Sequence, residues 1–361
     1  MGHSEQGLQF LQQLEKSAKK IAGESSRARV FVGLAEAAGK MGHSEQGLQF
    51  LQQLEQSAQK IADESERAQV FGGLAEAAGK MGHSEQRLQF LQQAEKSAQK
   101  IAEEFSRAAF FLGIAEAAGK MGHSEQGLQF LQQLEKSAQK IADESSRAGV
   151  FVGLAEAAGK MGHSEQGLQF LQQAEKNASK VANEFSRAAF FLGIAEAAGK
   201  MGHSEQGLQF LQQAEKSAQK IADESYSARV FVGLAKAAGK MGHSEQGLQF
   251  LQQAEKSAQK IADESERARF FVELAKAAGK MGNTFPEETN RFLSTLGSHT
   301  SGFEQKSQAL GVYLNGLSQA FADLRNFRKA YFFADQIEDK YPEKVFSLIH
   351  LQKRYKERSE K

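Results

Sequence analysis

The chain has 361 residues, 40% of them hydrophobic and 25% charged, a balance that excludes wholesale disorder and a membrane-embedded bundle. Lysine and arginine number 45 and the acidic residues 44, so the net charge of +1 supplies no global field for nucleic acid or an anionic membrane surface. There is no cysteine, which excludes disulfides and thiolate metal sites.

The N-terminal string Met1-Gly2-His3-Ser4-Glu5 lacks the basic and apolar stretches of a signal peptide. No run approaches the roughly 18 apolar residues of a membrane span, so a cytoplasmic location is expected. Met-Gly-His-Ser-Glu-Gln then returns at 1, 41, 81, 121, 161, 201 and 241, and an eroded form begins at Met281. A fixed 40-residue period is the signature of a solenoid of stacked units.

The fourth copy illustrates the unit. Leu128, Leu131, Leu134, Ala138 and Ile141 recur every three or four residues and predict one helix, B. Ala148, Phe151, Leu154, Ala155, Ala158 and Met161 predict a second, A, which opens the next hairpin. After helix A, Gly162 is placed to take a left-handed turn and Ser164 to cap the following helix B, with Glu165 at the positive end of its dipole. The polar stretch from Asp143 to Arg147 separates B from the next A without glycine or proline, so one long helix through it is the structural alternative. Gly127, Gly153 and Gly159 lie inside helices at a cost of about 1 kcal/mol each relative to alanine, which close helix approach would offset. In this frame the chain opens on a helix B whose face, Leu8, Leu11 and Leu14, lacks its hairpin partner. The expectation is a fragment of a longer array, or self-association through that N-terminal half-hairpin.

The series Phe31-x-x-Leu34-Ala35-x-Ala37-Ala38, then Gly42 at the turn, then Gly47-Leu48 and Leu51, resembles the tetratricopeptide repeat. Ala38 stands where that family has a bulky residue, Gly47 at its small position, and the period is 40 rather than about 34, with the added residues assigned to a longer helix B. Towards the C-terminus, Leu314-x-x-Leu317-Ser318-x-Ala320-Phe321, then Ala330, Ala334 and Ile337, then Pro342, follows the family spacing at ordinary length. The resemblance implies an all-α, right-handed α-solenoid, or superhelix, of antiparallel helical hairpins. Residues 1–280 would form seven TPR-like repeats. Residues 281–361 would form a helical cap with one conventional hairpin, about 307–342, and a solvating last helix. That helix would bury Val345, Phe346, Leu348, Ile349, Leu351 and Tyr355 and turn Lys353, Arg354, Lys356 and Arg358 outward.

No residues suggest catalysis, a metal or a cofactor. The histidine ladder (His3, His43, His83, His123, His163, His203, His243) has a spacing too wide for one shared ion. The adjacent His43-Ser44 lacks the orienting third group of a triad. Carboxylate pairs such as Asp63-Glu64, Asp143-Glu144 and Asp223-Glu224 fall in polar turns, where solvated charge is expected.

Copies differ mainly in helix A. One stripe runs Arg29, Gln69, Ala109, Gly149, Ala189, Arg229, Arg269. Three residues on come Val32, Gly72, Leu112, Val152, Leu192, Val232, Val272, and four further come Glu36, Glu76, Glu116, Glu156, Glu196, Lys236, Lys276. Copies three and five share a block from Glu104 and Glu184, so part of this variation records duplication. The resemblance implies that the stripe lines a concave groove for peptides. Its candidate contacts are Arg29, Gln69, Leu112, Val152, Leu192, Arg229, Val232, Lys236, Arg269, Val272 and Lys276. The apolar middle and basic C-terminal end suit a peptide with an acidic end. A protein- or peptide-binding scaffold is therefore expected, without nucleic-acid or membrane partners, and the alternative is a self-assembling structural array.

Overall fold

A computed structural model describes residues 2–119, 124–281, 286–303, 308–324, 326–337 and 341–359. Met121, His123 and the side chains of His3, Leu8, Val345, Lys356 and Arg358 lie outside the described set. By contact, the chain divides into two compact units, 1–177 and 178–361.

The first unit contains α1 (Gly2–Ala18), α2 (Glu24–Lys40), α3 (Ser44–Ala58), α4 (Glu64–Lys80), α5 (Ser84–Ala98), α6 (Glu104–Gly119), α7 (Ser124–Ala138) and α8 (Glu144–Lys160). Then α9 (Ser164–Ala178) reaches the unit boundary. The second holds α10 (Glu184–Lys200), α11 (Ser204–Ala218), α12 (Glu224–Lys240), α13 (Ser244–Gln259) and α14 (Glu264–Met281). It continues with α15 (Pro286–Ser298), a 3-10 turn at His299–Gly302, α16 (Gln308–Asp323), α17 (Phe327–Asp335) and α18 (Pro342–Ser359). Every described segment of regular structure is helical, arranged as tandem hairpins.

Asp143 decides between two helices and one. Its side chain accepts a hydrogen bond from the Ser146 backbone N–H at 2.6 Å, which caps α8 and ends any continuation from α7. Asp63, Asn183, Asp223 and Asp263 do the same for α4, α10, α12 and α14. The long-helix alternative is therefore excluded, and the first Asp of each carboxylate pair is a cap rather than merely solvated charge. Residues 139–143 form the connection, tightened by the Ile141 N–H on the Ala138 carbonyl at 3.1 Å. Ile141, expected on helix B, lies in this connection, still buried. Helix B is also the shorter of the pair, 15 residues in α3 against 17 in α2, so the added length does not reside there.

The turn from A to B is closed by glycine. Gly162 has φ of +86°, and the His163 N–H reaches the Ala158 carbonyl at 2.9 Å, satisfying a terminal acceptor of α8. Serine does not cap the next helix, contrary to expectation. His43, His83, His203 and His243 hold the cap position without a side-chain cap bond, and the serine is the first helical residue.

Each hairpin packs A along B, as in α2 with α3, α4 with α5 and α12 with α13. Phe50, Phe71, Phe90, Phe111, Phe151, Phe170 and Phe250 are fully buried between them, each burial favourable by about 1.5–3 kcal/mol. Within each unit the A helices also pack directly on one another (α2, α4, α6 and α8; α10, α12 and α14), while successive B helices approach less closely. The A helices therefore crowd one side of each unit.

At the C-terminal end α16 packs along α14, drawn in by Gly279, whose Cβ position lies 3.6 Å from the Ala320 backbone. Phe271, Phe303 and Tyr313 cluster with ring centres 5.2–6.2 Å apart. Burial raises the Tyr313 phenol well above its usual range, and its hydroxyl donates to the Leu296 carbonyl. The last helix departs from expectation. In α18, Phe346, Leu348, Ile349 and Tyr355 are exposed, and among the described side chains Ser347 and Leu351 are buried. Arg354 turns back onto Asp323 at 2.8 Å instead of outward. Among the described residues no helix is long and apolar enough to cross a membrane.

Candidate partner-binding surface

The positions that do not vary between copies are committed to joining one repeat to the next. Met81 packs its thioether into the space over Gly39 and Gly47, and Met161 does so over Gly119 and Gly127, so the helix glycines offset their cost by admitting a neighbouring side chain. The histidines supply a second joint. Nε2 of His83 lies 3.2 Å from the Ser44 carbonyl and that of His243 3.2 Å from the Ser204 carbonyl, one repeat back. His83, His163 and His243 thus each meet one backbone carbonyl of the preceding repeat, whereas Nε2 of His203 is buried with no hydrogen-bond partner among the described residues. Among the described residues no three His, Asp or Glu side chains converge to hold a metal.

A third joint, an arginine ladder, escaped the sequence reading. Arg147 donates from Nη1 to the Ile141 carbonyl and from Nε to Asn177 Oδ1 at 2.6 Å, tying the start of helix A to the next helix B. Arg67 reaches Ser97 in the same way at 3.1 Å, and Arg187 reaches Ser217 at 3.0 Å. The signal was present in the sequence, because this arginine recurs in every copy except the sixth. There Ser227 replaces it and pairs with Ser257 at 3.1 Å.

The varied stripe lies elsewhere. Arg29, Gln69, Arg229, Lys236, Arg269 and Lys276 are exposed on the A helices. Leu112, Val152, Leu192 and Val272 are half-buried; Leu112 Cδ2 is 3.0 Å from the Cβ position of Gly153 and Leu192 Cδ2 2.8 Å from that of Gly233, each on the following A helix. Val232 is buried, which corrects its assignment as an accessible contact. The structure brings Arg29, Val32 and Gln69 together in a cleft of about 240 Å³ between α2 and α4. A second, of about 610 Å³, lies between α4 and α6, with Gln69, Gly72, Phe110, Glu116 and Arg87 in its wall. Arg87 stands where the other copies have glycine.

The charge on this face is partly engaged. Lys80 binds Glu36 at 2.8 Å and Glu76 at 2.9 Å, and these hydrogen bonds raise its pKa. Lys160 pairs with Glu116 at 3.0 Å and Lys240 with Glu196 at 3.5 Å. Arg229 lies over the Tyr226 ring, 5.7 Å from its centre, and Lys236 is 3.8 Å from Glu273.

No protein-family model and no curated protein matches the chain. Among solved structures, a Podosopora anserina putative kinesin light chain with nearly identical TPR-like repeats is similar at 22% identity and TM-score 0.37, covering 55% of this chain and 98% of its own. Ton1535 from Thermococcus onnurineus NA1 is similar at 13% identity and TM-score 0.38, covering 89% and 99%. A Rap protein complexed with Competence and Sporulation Factor is similar at 14% identity and TM-score 0.33, covering 98% and 95%. TPR-like repeat proteins are thus among the structures similar to this chain.

Proposed function

We propose that the chain is a non-catalytic scaffold that binds a protein or peptide on the A-helix face of its repeats. One observation carries this reading. Near-identical repeats differ at exposed helix A positions such as Arg29, Gln69, Arg229, Lys236, Arg269 and Lys276, and largely agree where methionine, histidine and arginine hold neighbours together. Exposed positions that join no repeat to its neighbour are where a ligand can select residues. Basic Arg269 and Lys276, with Arg229 and Lys236 beside them in sequence order, favour an acidic segment at the C-terminal part of the array.

Binders selected from a random peptide library, measured by fluorescence polarisation, test both parts. Lys236→Glu with Lys276→Glu is expected to weaken acidic binders about tenfold, equivalent to about 1.4 kcal/mol. Unchanged affinity removes the polarity. Binders indifferent to Arg29→Ala, Gln69→Ala and Arg269→Ala together remove the surface itself.

A second reading, self-association through α1, is favoured by Phe10, which is 62% exposed where its equivalents Phe50 and Phe90 are 0%. Sedimentation over a wide concentration range tests it: Phe10→Ser should abolish any growth in mass, and a wild-type mass independent of concentration sinks it.

A further inference from the structure

We propose, building on the A-face reading, that the cleft between α4 and α6 is a socket for a single apolar ligand side chain with a carboxylate next to it, the carboxylate being received by Arg87. The socket is a local departure from the repeat. At this position the other copies carry valine or leucine; Leu112 leans onto Gly153 and Leu192 onto Gly233 of the following A helix, and Val272 onto Gly316 of α16. The second copy carries Gly72 instead. Among the described residues nothing lies within 4 Å of its Cβ position, nor of that of Gly113 on α6. One side chain's worth of contact is therefore missing between two helices that are otherwise packed. The rest of the wall is apolar at Ala68, Leu91, Phe110 and Ile114 and polar at Gln69, Glu76, Lys80 and Glu116.

Arg87 supplies the polar end. Its guanidinium presses against Gly79, in space that Met81 takes over Gly39 one repeat earlier, and Nη2 donates to the Ala117 carbonyl at 2.8 Å. Nε is sealed from solvent with no hydrogen-bond partner among the described residues, and burial lowers the pKa of the group. An under-satisfied, partly desolvated cation gains most from an anionic acceptor. Of the nearby carboxylates, Glu76 acts on Arg87 through space while paired with Lys80 at 2.9 Å, and Glu116 is paired with Lys160 at 3.0 Å. The ligand chemistry that matches is a branched or aromatic hydrocarbon group with a carboxylate beside it.

The probes are 3-phenylpropionate and its neutral amide, followed by saturation-transfer NMR on the full chain. Gly72→Val and Arg87→Gly each restore the residue of other copies, so both variants keep a sequence that already folds in this array; a thermal melt checks this. The carboxylate is expected to bind the native chain. Gly72→Val should abolish binding of both probes, and Arg87→Gly should weaken the carboxylate about tenfold while leaving the amide unchanged. Binding that survives Gly72→Val, equal affinity for carboxylate and amide, or no binding by the native chain overturns the proposal. The A-face reading is tested separately at Lys236 and Lys276, so either can fail alone.

Discussion

Glycines in this repeat have different duties, and alanine substitution separates them by sign. Gly47 lies under the Met81 thioether, and an added Cβ would sit 2.8 Å from the Ala35 carbonyl, which belongs to backbone and cannot swing away. Gly33 is exposed within α2 and an added Cβ would meet nothing within 4 Å. Gly33→Ala should therefore stabilise the protein by about 0.5–1 kcal/mol through helix propensity, whereas Gly47→Ala should destabilise it by about 1–3 kcal/mol through overpacking. Urea unfolding of the two variants reads both, and a stabilised Gly47→Ala would mean that the methionine contact imposes no constraint. Gly162 is a third kind, held at φ of +86° by the turn.

At the scale of the element, helix A begins where a short side chain takes up its first free N–H groups. Asn183→Ala removes the bond to the Ser186 N–H at 2.8 Å and should cost about 1 kcal/mol, seen as a lower urea midpoint at unchanged m-value. The acidic caps add a pH dependence of known sign. Hydrogen bonds from Ser146 hold the Asp143 carboxyl below its ordinary value, and hydrogen bonds from Ser106 and Phe105 do the same for Glu103. A depressed pKa means that the folded state binds the proton less readily than the unfolded chain. The stabilisation is complete above the ordinary carboxylate range and is lost as pH falls through the lowered folded value. Asp143→Asn should flatten that part of the acid-unfolding curve, and an unaltered curve would show that the cap bond does not respond to charge.

Over the whole molecule, stability in a repeat array is a sum of unit and interface contributions, so weakening one interface should uncouple what lies on either side of it. Arg147 is a direct test, because its guanidinium bridges the α8 start, the Ile141 carbonyl and Asn177. Arg147→Ala leaves a buried acceptor unsatisfied, at a cost of about 1–3 kcal/mol. Hydrogen exchange should show faster opening around α7 and α9 than around α4 and α5, while uniform protection would refute the ladder as a coupling device.

The sequence by itself determined the period, the two helices per unit, the left-handed glycine at 162 and the apolar stripes, because these depend on local backbone preference and on 3.6-residue spacing. It also located the varied stripe on helix A. Tertiary structure decided what each repeated polar residue does. Histidine occupies the cap and, at His83 and His243, reaches a carbonyl one repeat back, serine does not cap, and arginine bridges repeats, since the partners lie 30 to 39 residues away and no local pattern encodes them. Tertiary structure also buried Val232 and opened the space at Gly72. An exposed stripe on an isolated helix becomes half-buried or hollow only when the next A helix is laid beside it, and that depends on the side chains of two repeats together.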